Sequence, residues 1–362
     1  MSSPDVLIIT TDPVLDQWCA ALESEDAIAV EDAIAVDTEG DSLHCYFEKL
    51  CLIQITSGFQ NVLVDPLEPL DFSKFNAVLS QREIILHGGD YDLRMLRRGI
   101  NFVPGEVFDT YIAARLVGLK EVGLASLVKE FFGIDLPKSS QKANWAKRPL
   151  TQPMIEYAIN DTLYLVELGE RLTERLYALG RWGWFQESCL RAVAAAAEDR
   201  QKDPERVWKI PGSSGLQGIS LAVLKALWHW RDEEAKSADR PSFQVLRNEE
   251  LVELAKSAGE ARVRIPQSIQ GSRRKRLSSA LQQALALPES EWPPRIRLPR
   301  NRPTGEQEQR FEHLKNRRDR IAEGLNIDPG VVAPRQALER ISRDPEEVDG
   351  ALMRWQRQLL GL

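Results

Sequence analysis

Residues 36–40 read VDTEG, and the two acids in this stretch, Asp37 and Glu39, stand one residue apart at the end of an apolar run. In an extended strand, residues i and i+2 project to the same side, so the spacing aims two carboxylates at one point. In EYAIND, residues 156–161, Tyr157 and Asp161 are four apart, which places both on one face of a helix. A further pair, Asp90 and Asp92, follows directly on the run EIILHGG. Carboxylates crowded at the ends of a sheet raise each other's pKa unless cations neutralise them. About four acids suit two divalent ions ~4 Å apart, an arrangement that activates water and stabilises the leaving oxygen in phosphodiester hydrolysis. A tyrosine beside them can orient or deprotonate that water. Singly, a strand-end DxE is usually a solvated cap and a helical YxxxD an exposed face. The three stretches together, in this order, point to a metal site.

Such a site needs a scaffold that brings position 37 to position 161. The runs VLIIT (6–10), AIAVDTE (33–39), LCLIQIT (50–56), NVLVD (61–65) and EIILHG (83–88) have strand length and β-branched content. Helical patterns mark DPVLDQWCAAL, YDLRMLRRG (91–99), TYIAARLVGL (110–119), ASLVKEFFG (125–133) and the long stretch 151–180. The reading is an α/β domain with a mixed sheet, its early strands largely hairpin-connected, ending near residue 205. After the Gly/Ser-rich KIPGSSGLQG everything reads helical, with a Pro-rich basic linker, PESEWPPRIRLPRNRPTGE, before a last helical unit.

The hexamer EDAIAV occurs twice, at 25–30 and 31–36. Six is even, so sliding a strand by one copy keeps the same side chains on the core face, whereas a helix shifted by six residues turns its face by about 240°. Only the second copy leads into Asp37. Residues 33–39 are therefore expected to form the central catalytic strand, with the first copy extruded as a loop or extending the preceding helix end.

The 362 residues are 43% hydrophobic and 28% charged, the composition of a soluble protein of two or three domains. No run approaches the ~18 uncharged apolar residues of a membrane helix, and the N-terminal MSSPDVLIITTDP lacks the basic start and longer apolar core of a signal peptide. A cytoplasmic protein without membrane contact is expected, and no obligate protein partner is evident. Cys19, Cys45, Cys51 and Cys189 show no CxxC spacing and the histidines no HxxxH, so neither zinc nor disulfides are expected. The net charge of −7 is divided between −13 in residues 1–200 and +6 in 201–362, which makes the second half the better candidate for phosphate contacts. GSRRKR and PPRIRLPRNRP read either as tracks for an RNA backbone or as solvated linkers. GSSGLQG lacks GK[ST] and reads as a linker. Trp228 and Trp230 fall in a Leu-rich helical segment and read as core.

VDTEG, LHGGDYDLRML and YAINDTLYL, in that order between residues 36 and 165, resemble the tyrosine branch of the DEDD 3′→5′ exonuclease superfamily, and specifically the ribonuclease D family. FDTYIAARL and QKANWAKRPLTQPMIEYAIND are similar to the same family. Residues 210–256 resemble the helical HRDC domain, and 314–341 a degenerate second copy. The resemblance implies a ribonuclease-H-like exonuclease domain at 1–205, an HRDC domain at 206–290 and a second HRDC-like helical domain at 300–362. It implies a 3′→5′ exoribonuclease releasing nucleoside 5′-monophosphates, using two Mg²⁺ or Mn²⁺ ions, with RNA such as 3′-extended tRNA precursors as substrate. Asp37 would bridge both metals, Glu39 would bind the metal that activates water, and Asp92 and Asp161 would complete the ligands. Tyr157 would orient the water. Asp92, directly before the leucine of HGGDYDL, matches the family aspartate, which leaves Asp90 as a helix cap. Asp109 also reads as a cap, and His87 as a buried, hydrogen-bonded side chain.

The chain departs from the family at Gly40, where a phenylalanine often follows DTE, and at Asn144, where an aspartate is common. The first departure puts the grip on the terminal base in question. A proofreading-type DNA exonuclease and an inactive nucleic-acid-binding scaffold are the competing readings. With the chemistry confined to 1–205, truncation there is expected to leave hydrolysis of a short oligonucleotide intact.

Overall fold

A computed structural model describes residues 6–24, 33–58, 60–137, 139–198, 203–260, 263–295 and 303–362. The first EDAIAV copy and residues 296–302 of the basic linker lie outside the described residues. The chain divides into two units, one drawn from 1–40, 49–199 and 303–362, the other from 41–48 and 200–302.

In the first unit β1 (Val6–Ile9), β2 (Ala33–Gly40), β3 (Leu50–Ser57), β4 (Gln60–Val64), β5 (Glu83–Leu86) and β6 (Glu106–Asp109) form one mixed sheet in the order β1-β4-β3-β2-β5-β6. The hairpin pairs β2–β3 and β3–β4 are antiparallel, while β1–β4, β2–β5 and β5–β6 are parallel. The second EDAIAV copy thus runs into a strand at the middle of the sheet. All eight residues of β3 are buried, as a strand covered on both faces requires. Alternation sends Ile34 and Val36 into one core with Ile53 and Ile55. Ala35, Asp37 and Glu39 take the other face, opposite Thr56, Gln54 and Leu52. The edge strand β6 was not expected: EVFD is too short for a period-2 signal.

The helices are α1 (Asp12–Glu23), α2 (Ser73–Leu79), α3 (Asp90–Ile100), α4 (Thr110–Leu116), α5 (Leu124–Phe132), α6 (Gln152–Asn160), α7 (Leu165–Ala178) and α8 (Trp182–Ala197). Trp18, Phe75 and Leu96 of α1, α2 and α3 close the core on the Val36 face. The stretch 151–180 is two helices, because four residues of turn after α6 separate it from α7.

Five helices between Gly305 and Leu360, the first of them the 21-residue Gly305–Leu325, complete this unit. Leu314, Ile327, Leu338 and Trp355 share a buried cluster with Ala35 of β2, Leu172 of α7 and Phe185 of α8. Trp355 stacks on Trp184 with ring centroids 4.9 Å apart. Arg181 donates to the Leu116 carbonyl at 2.6 Å and the Leu325 carbonyl at 2.7 Å. At ~1.5–3 kcal/mol for each large apolar side chain buried, the last helices contribute to the stability of the exonuclease core. A fragment ending at 205 would bare this cluster, which bears against the expectation that such a cut leaves hydrolysis intact.

The second unit is helical, built on Ile219–Ser237, Asn248–Gly259 and Gly271–Leu285 around Leu224, Leu227, Leu251 and Leu277. Trp230 is buried in this core and Trp228 packs against it, as their setting in a Leu-rich helix implied. GSRRKR is no linker: it forms the first turns of Gly271–Leu285, where Arg273 and Arg276 both donate to the buried Glu234 carboxylate. No described helix is long and apolar enough to cross a membrane.

Candidate active site

Asp37 and Glu39 leave β2 on one face just before a register shift between Glu39 and Gly40. Bulges recur beside active sites because they re-aim a side chain and end pairing. Asp161 reaches the same point from the turn after α6. It caps that helix with αR dihedrals, φ −74° and ψ −18°, and its amide still bonds the Tyr157 carbonyl at 3.3 Å. The i,i+4 geometry therefore survives the helix end. Asp37, Glu39 and Asp161 can each place an oxygen within 4.8 Å of the others.

Asp92 enters from the first turn of α3 and is 6% exposed. Its Oδ1 accepts from the Thr38 hydroxyl at 2.6 Å and the Thr38 amide at 3.1 Å. Tyr157, on α6, brings its hydroxyl close enough to Asp161 for each to shift the other's titration. The Trp145 ring lies 6.0 Å from the Tyr157 ring, and Arg148 holds the segment carrying Trp145 by donating to the Trp145 carbonyl at 2.7 Å, the Cys51 carbonyl at 2.7 Å and Asp65. Asn144 closes a local turn by accepting from the Ala146 amide at 3.2 Å. The support given by Arg148 was not legible beforehand, because its partners lie 83 and 97 residues away.

The electrostatics are those of crowded acids lacking counter-charge. Burial, then Asp92, Asp161 and Glu39, push the Asp37 carboxyl well above its ordinary range. Glu39 is pushed up to about 9 by burial and then by Asp161 and Asp92. Burial raises Asp161 to about 7 and Asp92 to about 6, with the Thr38 hydrogen bonds opposing the latter. Tyr157 is raised by burial, then Asp161, Glu39 and Asp37, so its hydroxyl keeps its proton and acts as a donor. Hard oxygen donors gathered at this density fit a divalent cation, which removes the repulsion.

The remaining acids and His87 are structural. Asp109 accepts from the amides of Gly88 at 2.9 Å, Gly89 at 3.0 Å, Tyr111 at 2.9 Å and Ile112 at 3.3 Å, joining the loop after β5 to the start of α4. His87 is half-buried, with Nδ1 2.9 Å from the Thr110 hydroxyl, and burial lowers its pKa. Asp90 is no cap: Gly89 holds that position without a side-chain bond, and Asp90 instead pairs with Arg94 one turn on. At Gly40 a Cβ would run into the Tyr91 hydroxyl, so a larger residue there would require the Tyr91 side chain to shift.

Residues 6–177 match the 3′–5′ exonuclease family and residues 220–260 the HRDC domain. Ribonuclease D of Sphingobium indicum is 32% identical over 253 residues, covering 68% of this chain and 63% of that protein. Ribonuclease D of Pseudomonas paraeruginosa is 28% identical over 377 residues, covering 100% of this chain and 97% of its own length. The chain belongs to the ribonuclease D family. Among solved structures, Escherichia coli RNase D, an exoribonuclease involved in structured RNA processing, is similar with a TM-score of 0.72 and 26% identity over 99% of both chains. A protein from Bifidobacterium adolescentis is similar with a TM-score of 0.81 and 26% identity, over 99% of this chain and 98% of that one. The mixed sheet followed by helices is thus the ribonuclease D architecture.

Proposed function

We propose that this chain is a 3′→5′ exoribonuclease of the ribonuclease D type, hydrolysing RNA from its 3′ end to nucleoside 5′-monophosphates during 3′ maturation of tRNA or another structured RNA. The observation that carries the reading is the convergence of Asp37, Glu39 and Asp161 within 4.8 Å beneath a tyrosine hydroxyl. Asp37, Glu39, Asp92 and Asp161 would hold two divalent ions, Mg²⁺ or Mn²⁺. When bound, these supply Lewis acidity and a water activated for attack on the phosphodiester. Asp37 would be the ligand shared by both ions, and Glu39, at the strand end, would ligate the ion that activates the water. Tyr157 keeps its proton and orients the attacking water by hydrogen bonding. Within this reading residues 1–205 carry the chemistry, 206–290 form the HRDC domain, and 300–362 form a helical unit whose apolar side is shared with the exonuclease core.

RNA as substrate is supported by the family and by the HRDC domain. The test compares trimming of a 3′-tailed tRNA with that of a single-stranded DNA of equal length, each with Mg²⁺ and with EDTA. Mg²⁺-dependent release of 5′-monophosphates from the RNA, at least tenfold faster than from the DNA, is expected. Preference for DNA would favour a proofreading-type enzyme, and no cleavage of either a binding scaffold.

A further inference from the structure

Gln54, in the middle of β3, is 0% exposed, and neither its Nε2 nor its Oε1 has a hydrogen-bond partner. Among the described residues it is the one side chain orphaned at both a donor and an acceptor. Strand register fixes its surroundings: Asp37 stands opposite on β2 and Leu63 opposite on β4. Directly opposed residues of an antiparallel pair project from the same face with Cβ atoms about 4.5–5.5 Å apart, a gap that a glutamine side chain can span. Leu52, Leu63, Trp145, Met154 and Ala158 make the neighbourhood apolar. Thr56, the next residue along that face, has its hydroxyl committed to Asn61 at 2.9 Å and Thr162 at 2.8 Å. Among the described residues, the acceptor that register sets directly opposite the Gln54 amide is the Asp37 carboxylate.

A buried amide without a partner destabilises a fold, and an apolar side chain of the same length would serve the core better. A group kept against stability beside a reactive cluster is the pattern left by function. We propose that Gln54 is a positioning residue of the metal site, whose Nε2 donates to the Asp37 carboxylate and so fixes the orientation in which it would ligate. This rests on Asp37 being a ligand. In the structure the two side chains are not within hydrogen-bond distance, and the three rotatable bonds of Gln54 allow the gap to close. A hydrogen bond from Gln54 also explains why the amide is placed in the strand next to β2 rather than on a helix: the sheet ladder holds its Cα rigidly against that of Asp37.

The test uses the full chain carrying Gln54→Met, which keeps length and removes both polar atoms, with Gln54→Leu as a second variant should the first not fold. The thermal midpoint is measured in EDTA, and Mn²⁺ affinity by calorimetry. The expected result is a midpoint unchanged or raised by about 2–4 °C together with Mn²⁺ binding weakened about 10–100-fold. A residue of merely structural importance would not separate the two readouts in this way. Mn²⁺ affinity within twofold of wild type overturns the proposal. So does a midpoint lowered by more than about 4 °C in both variants, since the amide would then be satisfied before metal arrives. Asp37→Asn is measured alongside: if it binds Mn²⁺ like the wild type, the ligand assignment fails, whereas weak binding by Asp37→Asn with normal binding by Gln54→Met removes Gln54 alone.

Discussion

Thr38, the residue between the two acids of β2, gives both its hydroxyl and its amide to a single oxygen of Asp92, 54 positions further along the chain. A strand residue facing the opposite core thereby fixes a carboxylate at the mouth of the site and leaves its second oxygen for a cation. Thr38→Val keeps shape and the amide bond while removing the hydroxyl donor. Losing a buried hydrogen bond to a charged group is worth about 1.5–3 kcal/mol, so kcat should fall roughly 10–100-fold. Steady-state kinetics over a Mg²⁺ titration check this, and a rate within twofold of wild type would show the hydroxyl to be dispensable.

Asp37→Asn and Asp161→Asn each remove one ligand charge with little change in volume. Cleavage should be abolished while RNA affinity barely changes, because loss of metal-centred transition-state stabilisation costs several kcal/mol. Retention of more than about a tenth of the wild-type rate at saturating Mg²⁺, a difference of only ~1.4 kcal/mol, would remove these residues from the ligand set.

Tyr157→Phe deletes the hydroxyl close to Asp161 and leaves the ring beside Trp145 in place. With the tyrosine orienting water, kcat should drop about 10²-fold or more with Mn²⁺ affinity unchanged. A parallel loss of Mn²⁺ binding would mean the hydroxyl serves the ligands instead.

Metal-free protein should lose stability as pH rises. Asp92, Asp161 and Glu39 have folded-state values of about 6, 7 and 9, all above the ~4 of an unfolded chain. Their contribution is complete below about pH 4 and drains away as pH climbs through those folded values, because the folded state then binds more protons than the unfolded one. Bound Mg²⁺ favours the ionised forms, so the gap between thermal midpoints in Mg²⁺ and in EDTA should widen from pH 5 to pH 9. A gap independent of pH would contradict the crowding of unpaired acids.

Removal of residues 303–362 should give insoluble protein or one that unfolds at much lower temperature, since it strips Leu314, Leu338 and Trp355 from a cluster that backs Ala35, Leu172 and Phe185. Thermal melts and activity on a dinucleotide would register the loss. A stable, active fragment would show that the shared cluster contributes little.

Local signals carried much of this structure. Alternation in AIAVDTE and the spacing of Asp37 and Glu39 suffice to place two acids on one face, and the four-residue step from Tyr157 to Asp161 survives because the helix ends in a further turn of αR backbone. The break after Asp161 was invisible: TLYLVEL continues the apolar periodicity of YAIN, while in the fold Thr162 in the intervening turn bonds Thr56 of β3 at 2.8 Å. Gln54 looked like one more strand residue in LCLIQIT, since what makes it unusual is its register against Asp37, a non-local fact. The charge split marked residues 201–362 as the candidate for phosphate contacts and said nothing of where the last helices pack. Amphipathic spacing tells that a helix buries one face, not what it buries it against, and here it is the exonuclease core.

That shared core bears on when the enzyme comes into being. The first of the proposed ligands lies at residue 37 and the last at 161, yet the cluster behind the strand carrying Asp37 takes in residues as far along as Leu360. At about 5–20 residues per second, a ribosome takes roughly 10–40 s more to make the chain between the last of these ligands and Leu360. A nascent chain emerging among ribosomal RNA and tRNA would thus carry all its acids without a firm wall to hold them. Arming of the nuclease would wait until synthesis has passed the helix that carries Leu360.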